Sequence, residues 1–256
     1  ATPKECFDFA AQALDLADRL QTPIMVLSDL ELGMNDNLSE PFEWDDSRRY
    51  DRGKVLSATD LDEVEVFGRY LDVDGDGIGY RTYPGTHPEK GAFFTRGTSR
   101  DEFAVYTESG EVYQRNMERL QKKWQTARTL VPAAEIADQG QSVGVLYYGT
   151  TALPMPEALD NLAQNGIYMD TCRVRAFPFG DEVEQFIAAH DLIFVAEQNR
   201  DGQMRSLLIN ELQTEPSKLI SVLYYAGLSI SADTITEQIS DYYIENKLSR
   251  VTEVQS

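Results

Sequence analysis

Sulfur and imidazole are scarce in this chain. Its 256 residues include two cysteines, Cys6 and Cys172, and two histidines, His87 and His190. The cysteines stand far apart, without the short-range partners that a zinc site or an iron–sulfur cluster requires. Histidine-rich metal centres and most nucleophile–base triads are undersupplied for the same reason. Two free thiols suit a reducing cytoplasm. Positive charge is also short: 23 Lys and Arg against 43 Asp and Glu leave a net charge of −20. The excess is spread along the chain, −11 over residues 1–140 and −9 over residues 141–256. A field of that sign repels phosphate backbones and argues against nucleic-acid binding. A well-solvated acidic surface and a docking face for a basic partner both fit it. No apolar run approaches the roughly 18 residues of a membrane helix, and residues 1–5 enter a charged amphipathic segment rather than a secretory leader. Neither GxGxxG nor GxxxxGK(S/T) occurs, which argues against a dinucleotide fold or a P-loop enzyme.

What is present is enough for one or two cores. Hydrophobic residues make up 42% and charged residues 26%, as in soluble globular proteins. The chain reads as three parts: 1–35, 36–140 and 141–256. In the first, Phe7, Ala10, Ala11, Leu14, Ala17 and Leu20 recur at helical spacing. Thr22-Pro23 stops that helix, and Ile24-Met25-Val26-Leu27 then reads as a strand apolar on both faces. Such strands belong inside a parallel sheet. One helix and one strand cannot make a sheet, so this β-unit either joins the strands further along or is the edge of a larger sheet whose remainder lies outside this chain.

Residues 36–140 show little periodicity. Leu61, Val64 and Phe67 suggest a short helix, and residues 112–131 a longer one with Tyr113, Met117, Leu120, Trp124 and Ala127 on one face. Its Lys122, Lys123 and Arg128 lie toward the end where cations suit the helix dipole. Residues 68–102 pack seven glycines, five aromatics and two prolines around Asp72-Val73-Asp74-Gly75-Asp76-Gly77. A segment so long and irregular is expected to pack against another surface. Residues 141–256 are the legible part. Strands over 143–151, 168–179, 192–198 and 219–226 alternate with helices over 156–165, 181–189, 203–212 and 232–248. That alternation predicts α/β architecture, a parallel, doubly wound sheet with right-handed crossovers. Asp181 with Glu182 and Glu184, and Ser231 with Asp233, are helix-start chemistry.

Asp72, Asp74 and Asp76 copy the first half of a calcium-hand loop, with Gly77 at the sharp turn. The second half departs from it: the twelfth position is Tyr83 and the eighth is Gly79. A bound Ca²⁺ or Mg²⁺ would need Glu65, Asp101 or water to complete its shell; the alternative is an Asx-Gly turn. Arg96, Arg100 and Asp101 could grip a carboxylate or phosphate through the guanidinium fork. Arg48, Arg49 and Arg52 form a second basic cluster, and ion pairs explain both clusters equally well. Gly149-Thr150-Thr151 and residues 197–203 occupy the carboxyl edge where open α/β sheets bind ligands. His190 reads as a helix cap, and His87 is the sole loop histidine.

Several stretches together are familiar: TPIMVLSDLELGMN, WDDSRRYDRGKVL, GRYLDVDGDGI, PGTHPEKGAFFTRGTSRDE and VAEQNRDGQMRSLL. They resemble the α subunit of bacterial 2-oxoacid:ferredoxin oxidoreductases, particularly the 2-oxoglutarate type, over nearly the whole chain. The resemblance implies that residues 1–35 end a pyrimidine-side thiamine diphosphate domain. Residues 36–140 would then be a wrapping connection, and residues 141–256 a domain like the transketolase C-terminal domain. It implies an enzyme that converts 2-oxoglutarate and CoA to succinyl-CoA and CO2 and passes electrons to ferredoxin. Thiamine diphosphate, Mg²⁺ and 4Fe–4S clusters would lie mostly on upstream or partner segments. The partners would be a β subunit and the upstream part of the α subunit, in a hetero-oligomer. No catalytic residue is implied on this chain, which would supply scaffold and subunit interface; Arg96, Arg100, Asp101 and His87 are its substrate or interface candidates. The competing reading is a free-standing acidic, calcium-binding adaptor.

Overall fold

The computed structural model describes residues 1–246 and Leu248. In chain order the elements are α1 (Pro3–Leu20), α2 (Leu30–Met34), α3 (Ala58–Glu63), α4 (Gly110–Arg128), β1 (Glu135–Ala137), β2 (Val143–Tyr148), α5 (Met155–Gln164), β3 (Asp170–Val174), α6 (Asp181–Ala189), β4 (Leu192–Glu197), α7 (Gln203–Leu212), β5 (Leu219–Leu223) and α8 (Ala232–Glu245). Position 247 of the expected last helix lies outside the described residues. No described helix is long and apolar enough to cross a membrane. The chain divides into two compact units: Ala1–Cys6, Leu27–Pro41 and the chain from Pro132 onward form one, and Phe7–Val26 with Phe42–Val131 form the other.

The first unit is built on a five-stranded sheet in the order β1-β3-β2-β4-β5. Strands β3, β2, β4 and β5 run parallel, as expected, and β1 closes one edge antiparallel to β3. Successive strand residues point to opposite faces, so each face collects its own core. Val145, Phe194, Ala196 and Val222 pack with Met155, Ala158 and Leu162 of α5 and Ile235 and Ile239 of α8. Leu146, Cys172, Ile193 and Val195 pack on the other face with Val183, Phe186 and Ile187 of α6 and Leu208 of α7. These short apolar runs, buried on both faces, explain why the sheet is legible in the sequence. Helix α8 starts at Ser231, whose hydroxyl accepts from the Thr234 N–H at 3.2 Å. Helix α6 is preceded by Gly180, leaving Asp181, Glu182 and Glu184 in its first turn, where carboxylates suit the dipole. On β3, Arg173 and Arg175 both donate to Glu5, at 2.9, 3.1 and 2.8 Å. Burial opposes charge on Glu5, but Arg173, the Ala1 ammonium and Arg175 together outweigh it and hold the carboxyl down at about 2.

Two expectations change. Ile24-Met25-Val26-Leu27 is not a strand, and Met25 and Leu27 are 83% and 86% exposed. A strand needs a ladder partner, and the described sheet begins only at Glu135, with 24–27 outside its pairings. The sheet also gains an edge strand, β1, that the sequence did not suggest.

The second unit has helices at its ends and irregular chain between. Leu16, Leu20, Ile78 and Ala127 form its small core, with Ile24 and Leu130 packed against it. The short helix α3 begins earlier than the apolar spacing implied, because Ser57 and Asp60 form a reciprocal capping box. Much of the rest is held by charge. Asp15 pairs with Arg48 at 2.7 Å, and Asp18 pairs with Arg52 and Arg81 at 2.9 Å each. The 48–52 basic cluster is thus largely spent on the acidic side of α1. Tyr113, Met117, Leu120 and Trp124 of α4 remain substantially exposed, and only Ala127 of that face is buried.

Candidate functional site

The order of the sheet fixes where a doubly wound domain would hold a ligand. From β2 the chain moves outward to β3, then crosses back to β4, so the topological switch lies at the carboxyl ends of β2 and β4. Gly149-Thr150-Thr151 and Glu197-Gln198-Asn199 meet there, as their positions predicted. They are occupied with one another. The Gln198 amide donates to the Thr150 and Thr151 hydroxyls at 3.3 and 3.2 Å. Its oxygen accepts from the Ile230 N–H at 3.2 Å. The Thr150 hydroxyl in turn donates to Asp29 at 2.6 Å.

Glu197 is fully buried at this edge. Its carboxylate accepts from the Met204 and Arg205 N–H groups at 2.8 and 3.2 Å, and from the Asn199 amide at 2.6 Å. Those N–H groups open α7, the place where such folds commonly cradle phosphate. The protein's own carboxylate takes it. Polar groups at the switch point therefore complete each other, and no nucleophile–base pair is assembled from them.

The Asp72–Gly77 loop departs from the calcium expectation. The Lys54 ammonium lies between Asp74 and Asp76, at 2.6 and 2.7 Å. That pairing holds the Asp74 carboxyl below the usual carboxylate range. Asp72 accepts from the Gly77 N–H at 3.0 Å, with Lys122 at 3.6 Å. An ammonium fills the place that a divalent cation would need, and Glu65 and Asp101 do not complete a shell. Among the described residues no cluster of His, Cys, Asp and Glu is placed to hold a metal. Gly77 has a second duty besides the turn: with φ +80°, it lies against the backbone of α4 near Arg119 and Lys123.

Of the substrate or interface candidates, Arg100 enters a cluster that the sequence did not disclose. Its guanidinium donates to the Tyr70 hydroxyl at 3.1 Å and to the Gly97 carbonyl at 2.7 Å. Three guanidiniums surround the Tyr70 ring, with Arg69, Arg100 and Arg119 at 5.2, 5.4 and 5.8 Å from its centroid. Arg119 and Lys123 share a face of α4 at i, i+4 spacing; Arg69 and Arg100 come from separate loops, which is why local patterns missed the group. Arg96 lies apart, over Tyr106. Asp101 accepts from the Phe103 and Val105 N–H groups at 2.9 Å each, shaping its own turn. His87 does likewise: Nδ1 accepts from the Glu89 and Lys90 N–H groups, so Nε2 carries the proton facing Asp62 at 3.1 Å.

His190 is the buried C-cap of α6. Its Nδ1 meets the Phe186 carbonyl at 2.6 Å and its Nε2 meets Asp170 at 3.2 Å. Asp170 also accepts from the Gln139 and Gln141 N–H groups, at 2.8 and 3.0 Å. Burial opposes its charge, yet these donors keep its carboxyl below the usual range. Cys172 is buried in the core, which pushes its thiol up to about 12.

No protein-family model matches the chain. The α subunit of 2-oxoacid:ferredoxin oxidoreductase 2 from Aeropyrum pernix is 28% identical over 223 residues, 84% of this chain. The corresponding α subunit from Saccharolobus solfataricus is 24% identical over 242 residues, 92% of this chain. This chain resembles a 2-oxoacid:ferredoxin oxidoreductase α subunit. It spans 33% and 37% of the length of those two curated α subunits. The fold agrees: the structure of 2-oxoglutarate:ferredoxin oxidoreductase from Magnetococcus marinus with 2-oxoglutarate, coenzyme A and succinyl-CoA bound aligns with a TM-score of 0.77. That alignment covers 94% of this chain and 41% of that one, at 20% identity. The resemblance read from residues 22–208 is therefore matched by overall sequence, and the fold agrees.

The cofactors implied by that resemblance do not fit the residues here. A 4Fe–4S cluster takes four thiolates, whereas this chain has Cys6 and a buried Cys172. The N-terminal end of α7, where such folds commonly hold phosphate, is closed by Glu197, and the acidic loop by Lys54.

Proposed function

We propose that this chain is part of the α subunit of a thiamine-dependent 2-oxoglutarate:ferredoxin oxidoreductase. The complete enzyme converts 2-oxoglutarate and CoA to succinyl-CoA and CO2 and delivers electrons to ferredoxin. This part supplies scaffold and subunit interface, and residues 141–256 play the role of a transketolase C-terminal-like domain. Residues 1–35 end the pyrimidine-side domain, whose remainder, with the iron–sulfur β subunit, completes the active site in the cytoplasm. The observation that carries this reading is agreement in sequence with two α subunits, and in fold with a 2-oxoglutarate:ferredoxin oxidoreductase chain, across nearly the whole chain. The self-satisfied polar groups at the switch point support a role without catalytic residues of its own.

The test is to isolate the assembly that contains this chain and follow reduction of ferredoxin, or of a viologen dye, on addition of 2-oxoglutarate. Reduction that requires both 2-oxoglutarate and CoA is expected. An assembly that reduces the acceptor only with another 2-oxoacid corrects the substrate, and one that reduces it with no 2-oxoacid overturns the reading.

A further inference from the structure

The cationic group around Tyr70 is short of anions; the nearby Asp72 carboxylate favours the charge on Arg119 without forming an ion pair with it. In a chain with nearly twice as many acids as bases, ion pairing is the expected fate of a half-buried guanidinium. Yet Arg69, Arg100, Arg119 and Lys123 form no ion pair with a carboxylate among the described residues. Arg69 lies over the Tyr70 and Phe93 rings, with no hydrogen-bond partner among those residues. Arg119 donates once, from Nη1 to the Gly77 carbonyl at 2.8 Å, and its buried Nε has no acceptor. Lys123 reaches the Thr22 hydroxyl at 2.5 Å and, at 3.4 Å, the Gln21 carbonyl. The nearby acids are engaged elsewhere, Asp72 with Gly77 and Lys122, and Glu102 with Arg115. Burial lowers Arg69, Arg119 and Lys123 from their ordinary values, and the two guanidiniums add repulsion to Lys123. Gathering like charges with free donors costs folding energy unless an anion joins them.

We propose that the Arg69–Arg100–Arg119 group around Tyr70, with Lys123, is a binding site for a phosphate-bearing anion. A carboxylate offers two oxygens in one plane and a single negative charge. Guanidiniums arriving from three segments around one ring call for more oxygens, spread in three dimensions, and for more than one negative charge. A phosphate monoester or diphosphate supplies both. The net charge of −20 disfavours non-specific uptake of anions elsewhere on the surface. The site does not rest on the oxidoreductase reading, and its test needs no turnover.

The experiment is calorimetric titration of the full chain at low ionic strength with inorganic pyrophosphate, orthophosphate and, as the carboxylate probe, succinate. Pyrophosphate should bind with one site and at least about tenfold more tightly than succinate. Arg69→Gln and Arg119→Gln should each weaken it about tenfold or more, as removal of a charge-assisted partner does. Arg200→Gln, which removes an exposed guanidinium paired with Asp201, should leave it unchanged. Arg69 anchors nothing by hydrogen bonding, so its variant reports binding even if Arg119→Gln perturbs folding. Equal affinity for succinate, no heat with millimolar pyrophosphate, or binding indifferent to Arg69 and Arg119 would overturn the proposal. So would pyrophosphate binding by the chain alone that vanishes in its native assembly, which would assign the group to an acidic partner.

Discussion

Replacing Gly77 by alanine tests whether the acidic loop is structural or a cation site. Gly77 sits at φ +80°, and a β-carbon there would come within 2.3 Å of the Lys123 nitrogen and 2.5 Å of the Arg119 carbonyl oxygen. Both are backbone atoms of α4, so no side chain can swing away. The left-handed conformation costs an L-residue about 1–2 kcal/mol, and forced overpacking adds about 1–3 kcal/mol. Gly75→Ala is the matched control. Its φ is +77°, but its β-carbon would meet only the Lys122 Nζ at 3.8 Å, leaving the conformational cost alone. Urea unfolding followed by far-UV circular dichroism should therefore show Gly77→Ala less stable than Gly75→Ala by about 1–3 kcal/mol, with an unchanged denaturant slope. Equal losses would refute the close approach to α4. Recovery of Gly77→Ala by millimolar calcium would refute the Lys54-filled loop.

Glu197→Gln should destabilise the sheet-bearing unit by about 1–3 kcal/mol in the same assay, because the new amide turns a donor toward the α7 N–H groups. A neutral result would mean that this carboxylate does not cap the helix. Acid should weaken the fold in a defined window. Glu5 is depressed from 4.5 to about 2, so its contribution is complete above pH 4.5 and disappears as pH falls toward about 2. Asp170, also depressed, loses its contribution over the acid range below its ordinary value of 3.8. Removing both guanidiniums by Arg173→Met and Arg175→Met should narrow that window, read as a smaller loss of melting temperature between pH 5 and pH 3. Cys172 should react with a thiol reagent only on unfolding, given its burial and its raised thiol; prompt labelling of that residue in the native chain would contradict the packing.

The sequence disclosed the sheet because its information is local. Runs such as Val143–Tyr148 and Leu192–Glu197 are apolar on both faces and are bounded by polar or glycine-containing turns. Glu135–Ala137 carries no such signal: it is three residues long, exposed, and defined by its neighbour Arg173 rather than by its own pattern. Ile24-Met25-Val26-Leu27 has the opposite fault, the composition of a buried strand without a described ladder to join. The second unit was opaque because its contacts join distant residues, as in Asp18 with Arg81 and Lys54 with Asp76. A three-carboxylate motif reads as a metal loop until Lys54, 22 residues before Asp76, is seen to lie between two of its members. The cluster around Tyr70 was half visible, since Arg100 stood out beside Arg96, whereas Arg69 and Arg119 reach it only through the fold. The likeness to an oxidoreductase subunit lies in stretches spread along the chain, not in any single catalytic motif.

The intact mass of the native assembly addresses the account most directly. Native mass spectrometry of the complex purified through this chain should show further α-subunit polypeptide and a cysteine-rich, iron-bearing subunit bound to it in fixed stoichiometry. A chain that purifies from its native source by itself, or as a homo-oligomer without iron, would contradict the assignment.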